Sequence, residues 1–200
     1  MNTYSRRGGD PFILANILQL REYDQIMRKL LGIFTLISLL TSTSAFAATP
    51  AIQFQAAQKS VKYQILQPGS TGDLLLRSFQ MQSCGATSPK WLAAIYGETR
   101  SVQFLETDSA VKCSNPGLGK KVATVNINGN VATIVAFCDP ANPAQWKSCK
   151  TSDIHNFGGY AMWKVPATKK LRGTEVEVLV SGLTYADLLK MARGMKPVTL

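Results

Sequence analysis

The residues with the clearest capacity for chemistry lie between positions 150 and 160. This segment holds the single histidine of the chain, His155, together with Ser152 and Asp153. A histidine in a polar loop can act as a general base, so the segment could be the centre of a small hydrolase. Three residues this close in sequence do not form a nucleophilic triad in a regular backbone, and there is no G-x-S-x-G motif. The alternative is that the Ser and Asp side chains cap a turn and that His155 is a surface or packing residue, so no catalytic residue is assigned.

The second candidate group consists of the four cysteines, Cys84, Cys113, Cys138 and Cys149. An even number of cysteines in a small exported domain is typical of a disulfide framework. Of the three possible pairings we favour Cys84–Cys113 with Cys138–Cys149, because the second pair brackets the turn-rich residues 139–143. The absence of a C-x-x-C pair and the single histidine argue against a structural zinc site. We therefore expect two disulfides, no metal and no cofactor.

The third group is basic. The chain carries a net charge of +10, and the first 47 residues contribute five basic and three acidic groups, which leaves +8 on residues 48–200. Such a charge favours anionic envelope material, such as phospholipid head groups, lipopolysaccharide or teichoic acids; the alternative is that the lysines only solvate the surface. The basic residues are not interleaved with aromatic ones, so nucleic acid is not expected. The candidate binding residues are Lys169, Lys170, Arg172 and Trp146, the tryptophan expected to be most exposed.

The N-terminal part of the chain predicts export. Met27-Arg28-Lys29 precedes the apolar residues 30–40, and Ala45-Phe46-Ala47 follows them. A basic region, a short apolar segment and an A-x-A pattern indicate a secretory signal peptide over residues 27–47. The apolar segment is shorter than the roughly 20 residues that span a bilayer, and position 48 is not a cysteine. The mature protein is therefore expected to be periplasmic or secreted, with neither a transmembrane anchor nor a lipid anchor.

This prediction divides the chain into three parts. Residues 1–26 carry charges in no clear pattern, so we interpret them as an upstream extension of the gene model, with a long n-region as the alternative. Residues 27–47 are the signal peptide. Residues 48–200 have the length of a single domain with one core.

The candidate residues must be positioned by strands, which alternating apolar and polar residues predict. The clearest element is a hairpin of residues 122–127 and 131–137 around Asn128-Gly129, since Asn-Gly between apolar runs is a strong hairpin signal. Residues 91–96 could form a helix or a buried strand, and residues 51–59 a helix or an ordered arm. Further strands are predicted over residues 61–65, 74–81, 101–105, 160–165 and 174–181.

The chain closes on a predicted amphipathic helix. Thr184 is its N-cap, Asp187 completes a variant of the capping box, and Gly194 ends the helix. An apolar stripe along one side indicates that the helix covers a sheet; it consists of Tyr185, Leu188, Leu189, Ala192 and Met195. The predicted fold class is α+β: a twisted antiparallel sheet of five to seven strands with the C-terminal helix on one face.

The last forty residues also resemble a known group of domains. The similarity lies in Gly159-Tyr160-x-x-Trp163, the strand that follows, and Ser181-Gly182-Leu183-Thr184 before the helix. This pattern is similar to the tails of bacterial extracytoplasmic domains of unknown function on sporulation and anti-sigma-type membrane proteins, and of domains related to lipoprotein-sorting carriers. The resemblance implies an envelope location and a helix-on-sheet fold. It transfers no catalytic residue.

Two functional hypotheses follow. The first is a non-enzymatic envelope protein that binds an unknown partner or an anionic ligand through a sheet face or its basic surface. The second is a small exported hydrolase centred on residues 150–160.

Overall fold

A computed structural model describes residues 49–84, 90–111, 113 and 117–200. The predicted extension of residues 1–26 and the signal peptide of residues 27–47 lie outside the described residues. In chain order the elements are α1 (Pro50–Ser60), β1 (Leu66–Pro68), β2 (Leu76–Ser83), β3 (Lys90–Gly97), β4 (Ser101–Asp108), β5 (Lys120–Ile127), β6 (Asn130–Ala136), α2 (Pro143–Ser148), a 3₁₀ turn (Thr151–Asp153), α3 (Ile154–Phe157), β7 (Gly159–Val165), β8 (Thr174–Ser181), α4 (Tyr185–Arg193) and β9 (Met195–Pro197).

Seven strands of the described part form one antiparallel sheet in the order β2-β3-β4-β8-β7-β6-β5. Two meanders, β2–β4 and β5–β8, are joined by the pairing of β4 with β8. The short strands β1 and β9 pair separately. The structure therefore confirms the α+β class, the antiparallel sheet and the C-terminal helix.

One face of the sheet, the core face, carries most of the apolar interior. Val176, Val178 and Val180 of β8 point to this face and are at most 3% exposed. Helix α4 packs across β8, β7 and β5, and its Leu188 is fully buried. Helix α1 contacts β1 and β2, where the rings of Phe54 and Phe79 meet edge to face. The two helices thus cover the core face.

The hairpin and the helix cap form as the sequence predicts. Asn128 and Gly129 link β5 to β6 with φ of 51° and 86°, the left-handed pair that a two-residue hairpin turn requires. Thr184 Oγ1 accepts a hydrogen bond from Asp187 N at 3.1 Å, and Asp187 Oδ2 accepts one from Thr184 N at 3.0 Å. The Thr184 hydroxyl also donates to Asp187 Oδ2 at 2.7 Å. This hydrogen bond and the one from Thr184 N lower the pKa of the Asp187 carboxyl. The capping box is therefore complete.

The strand predicted over residues 61–65 is wrong. The segment makes only one isolated bridge, between Tyr63 and Arg172. Side chains bind its backbone where a neighbouring strand would: Gln58 Nε2 donates to Tyr63 O at 2.9 Å, and Gln58 Oε1 accepts from Ile65 N at 2.7 Å. The alternation of apolar and polar residues in this segment reflects the burial of Tyr63 and Ile65. It does not reflect pairing with a neighbouring strand.

The sheet has two ends that matter for the candidate sites. Asp108, Thr174 and Val165 lie in one row at the end that we call the upper end. Lys120, Ala136 and Gly159 lie in one row at the lower end. The connection from Asp108 to Lys120 therefore runs from the upper to the lower end.

Two described residues of that connection, Ser109 and Gly119, lie against the face opposite the core. Lys164 Nζ donates to Ser109 O at 3.4 Å. Gly119 packs so closely on Val135 that a Cβ atom at Gly119 would lie only 2.5 Å from Val135 Cγ1. Both Lys164 and Val135 point away from the core face. This placement agrees with the burial of several side chains on that second face, namely Ala93, Leu105, Thr107, Val135 and Glu177.

Both predicted disulfides are confirmed. Cys84 is bonded to Cys113 and Cys138 to Cys149. The first joins the end of β2 to the connection between β4 and β5. The second closes the loop that contains α2, and both of its cysteines belong to the apolar core. No helix in the described ranges has the length and apolarity needed to cross a membrane.

Candidate anion-binding site

A basic cleft opens at the upper end of the sheet. Its volume is about 500 Å³, and its walls are Val61–Lys62 on one side and the β7–β8 loop, Ala167–Arg172, on the other. Four of the lining side chains are cationic, none is acidic, and all four cations are exposed; they are Lys62, Lys169, Lys170 and Arg172. We call this the basic cleft.

Backbone hydrogen bonds hold the two walls together. Arg172 N donates to Lys62 O at 2.8 Å, and Thr174 Oγ1 donates to Gln64 O at 2.6 Å. Within the loop, Thr168 N donates to Leu171 O at 2.8 Å, and Thr168 Oγ1 accepts from Leu171 N at 3.0 Å. The loop is therefore a closed turn fastened to the segment after α1, which fixes the backbone positions of its three cations.

A buried carboxylate orients one of the cations. Asp108 Oδ2 accepts a hydrogen bond from Arg172 Nη1 at 3.0 Å, and the Asp108 side chain is only 3% exposed whereas that of Arg172 is 63% exposed. Asp108 Oδ1 accepts from Ala110 N at 3.0 Å. Since a guanidinium has five N–H donors in a planar fork, the remaining donors of Arg172 stay available at the mouth of the cleft.

The structure brings together three of the four predicted binding residues. Lys169, Lys170 and Arg172 all line the basic cleft. Trp146 does not: it lies in α2, is partly buried against the core, and its carbonyl accepts from Lys120 Nζ at 2.6 Å. Sequence reasoning missed Lys62, because its contribution depends on the contact between two segments distant in sequence.

The candidate catalytic segment does not assemble a catalytic group. Asp153 Oδ2 accepts from Lys150 N at 2.9 Å, which caps the 3₁₀ turn. Ser152 and His155 are exposed. Among the described residues no hydrogen bond joins Ser152, Asp153 and His155, so the geometry gives no nucleophile–base pair.

One group of potential metal ligands occurs in the described residues. The ligand atoms of Cys138, Cys149 and Asp153 lie within 4.8 Å of one another. The two sulfurs are bonded to each other, and only a thiolate is a metal ligand. In the disulfide form this group therefore provides a single carboxylate.

A buried carboxyl lies under the upper half of the sheet. Glu106 is 1% exposed, and its Oε2 accepts from Leu66 N at 2.8 Å. Its Oε1 has no hydrogen-bond partner among the residues that the structure describes. Tyr63 Oη donates to the Glu106 carbonyl at 3.1 Å. Burial raises the pKa of Glu106 well above its usual 4.5. The sequence did not predict that Glu106 is buried, because an alternating pattern of apolar and polar residues does not distinguish a buried acid from an exposed one.

We expect Glu106→Gln to stabilise the protein at neutral pH. The amide keeps an acceptor for Leu66 N and removes an ionisable group. Because the folded state holds the proton of Glu106 above pH 4.5, where the unfolded chain has lost it, the stability of the wild type falls as the pH rises through the raised pKa. Urea unfolding from pH 4 to 8 should show a flatter profile for the variant. The exposed Glu98, paired with Arg77, gives the control Glu98→Gln; an equal change in both variants would contradict the expectation.

Comparison with protein-family models, curated proteins and solved structures gave no significant match. The resemblance of the C-terminal residues to extracytoplasmic domains therefore stays an expectation from the sequence.

Proposed function

We propose that the chain is an exported, non-enzymatic protein of the cell envelope that binds a phosphate-bearing anion in the basic cleft. The observation that carries the proposal is the cleft itself. Four cations line it, and within the described part of the chain the only carboxylate that pairs with one of them is Asp108, which is buried behind Arg172. Arginine binds phosphate with two parallel hydrogen bonds, and lysine binds it as a point charge.

Export is supported by three features. The sequence pattern of residues 27–47 is that of a signal peptide. The two disulfides are stable in an oxidising compartment. The net charge of +8 on residues 48–200 suits anionic envelope material. Mass spectrometry of the protein recovered from the cell envelope should find Ala48 at its N-terminus.

Removal of two cleft cations is expected to weaken anion binding. Lys169→Ala/Lys170→Ala should lower the affinity for inorganic pyrophosphate about tenfold, since each charged contact contributes about 0.5–1 kcal/mol in an exposed site. Lys169→Arg/Lys170→Arg should keep most of the affinity. Isothermal titration calorimetry at two salt concentrations measures both effects.

The matched control is Lys121→Ala/Lys147→Ala, which removes the same charge at the lower end of the sheet. An equal loss in both alanine pairs would show that only the net charge matters and would contradict the cleft. Undetectable binding of pyrophosphate by the wild-type protein would contradict the proposed ligand class.

A further inference from the structure

Beside β5, β6 and β7, the lower end of the sheet exposes two large apolar side chains of the described residues. Leu118 is 83% exposed and Phe157 is 44% exposed. Leu118 lies in the loop before β5, and Phe157 is the last residue of α3. Each is followed or preceded by a glycine, and these two glycines, Gly117 and Gly158, both lie close to the half-buried ring of Phe137. If each carried a Cβ atom, the atom at Gly117 would lie 3.7 Å from Phe137 Cε1 and the atom at Gly158 would lie 3.2 Å from Phe137 Cδ2. The two glycines therefore lie on either side of one aromatic ring, and Leu118 and Phe157 are their chain neighbours, which places both exposed side chains in the same region.

The packing of this ring fixes the arrangement. Phe137 N donates to Gly158 O at 3.1 Å, and the Phe137 ring lies 5.7 Å from that of Tyr160. Exposed apolar groups in this position do not contribute to the core. Exposed apolar groups that occur together and are rimmed by polar residues are typical of sites that contact a partner or a membrane.

Three lysines lie in segments next to the apolar group. Lys120 Nζ donates to Lys147 O at 3.0 Å and to Trp146 O, which holds α2 beside the start of β5. Lys121 is the next residue of β5. Lys150 precedes the turn that leads into Phe157. Lys121, Lys147 and Lys150 are exposed, and no ion pair within the described residues engages them. We define the lower patch as Leu118, Phe137 and Phe157 with these three lysines.

Two carboxylates also lie in this region. Asp139 Oδ1 accepts from Ala141 N at 2.8 Å, and Asp153 Oδ2 accepts from Lys150 N. Both are thus engaged by backbone amides. The three lysines against two such carboxylates leave the patch with a positive charge.

We propose that the lower patch docks the protein on the surface of an anionic lipid bilayer. Leu118 and Phe157 enter the headgroup region, and Lys121, Lys147 and Lys150 lie against the lipid phosphates. Interfacial binding combines apolar side chains with basic ones in this way. Charge complementarity selects the occupant, because a second copy of the chain would present like charges to the same patch.

The proposal is independent of the basic cleft, which lies at the opposite end of the sheet. Docking through the lower patch would leave the cleft directed away from the membrane. Either site can fail without the other, and the two sets of lysines serve as controls for each other.

Co-sedimentation with vesicles tests the proposal. The purified protein is mixed with vesicles of phosphatidylcholine containing phosphatidylglycerol, and with vesicles of phosphatidylcholine alone. The wild type should sediment with the anionic vesicles only. Each lysine near the surface should contribute about fivefold to the partition coefficient. Lys121→Ala/Lys147→Ala/Lys150→Ala should therefore lower it about a hundredfold. Leu118→Ser/Phe157→Ser should lower it at least about tenfold by removing the inserted groups.

The control is Lys62→Ala/Lys169→Ala/Lys170→Ala, which removes an equal charge from the cleft and should change the partition coefficient much less. Equal losses in the two lysine triples would overturn the lower patch, as would a wild-type protein that ignores anionic vesicles. Loss of a dimer by Leu118→Ser/Phe157→Ser in sedimentation velocity without vesicles would also overturn it, since the patch would then be a contact between copies. All substituted side chains are exposed, so unchanged melting temperatures verify the fold.

Discussion

Leu188→Ala is expected to lower the free energy of unfolding by about 2–5 kcal/mol, the usual cost of truncating a buried leucine. Leu188 is fully buried, and it lies on the side of α4 that faces the valines of β8. A loss of this size is a large fraction of a net stability of about 5–15 kcal/mol. Urea unfolding at fixed pH measures it.

The matched control for this substitution is Leu189→Ala in the next position. Leu189 is only partly buried, so the same truncation should cost less. Removal of all residues after Gly182 should leave an unfolded or insoluble product, because the core face then loses α4 and β1 loses its partner β9. If the truncated protein unfolds cooperatively at the temperature of the full protein, α4 is not part of the core.

The second large effect is expected from the disulfide Cys138–Cys149. Cys138→Ala/Cys149→Ala should cost about 2–5 kcal/mol, because the open loop gains conformational freedom in the unfolded chain and the buried sulfurs leave the core. The two residues are 1% and 8% exposed. Thermal unfolding of the variant, compared with the wild type under non-reducing conditions, measures the loss.

The wild type under a thiol reductant provides the control for this prediction. Because the reductant also opens Cys84–Cys113, the variant is measured under reductant as well. The reduced wild type and the reduced variant then differ only in the two buried sulfurs, so the difference in their melting temperatures reports the lost sulfur packing. A variant as stable as the oxidised wild type would contradict a structural role. Non-reducing peptide mapping verifies the pairing with Cys149 and the independence of Cys84–Cys113.

Local signals in the sequence predicted most of the sheet. Asn128-Gly129 specifies its own turn, and Thr184 with Asp187 specifies the start of α4, since each signal acts within four residues. The ambiguous residues 91–96 became a strand because β3 pairs on both sides, with β2 and β4. Such pairing partners lie far away in sequence, and no local pattern encodes them.

The same limit applies to the candidate site. Lys169, Lys170 and Arg172 stand out as a cluster in one loop, and the structure gathers them. Lys62 and Asp108 join them only because the backbone of residues 62–64 is fastened to Arg172 and Thr174. The burial of Glu106 was missed for a related reason: its carboxylate and its carbonyl accept hydrogen bonds from Leu66 and Tyr63, which are distant in sequence and lie in or beside a predicted strand that does not form.

The pairing of β4 with β8 has a consequence for the order of folding. Every other contact in the seven-stranded sheet joins strands that follow each other in the chain, whereas Ser101 meets Ser181 and Asp108 meets Thr174. Bringing β4 and β8 together closes a long loop, and the loss of chain entropy precedes the favourable contacts between the two strands. During synthesis or translocation from the N-terminus, β2–β4 is complete while β8 is still missing. The edge of β4 is then an open template for other chains, so aggregation during biogenesis should depend on how fast the second meander arrives.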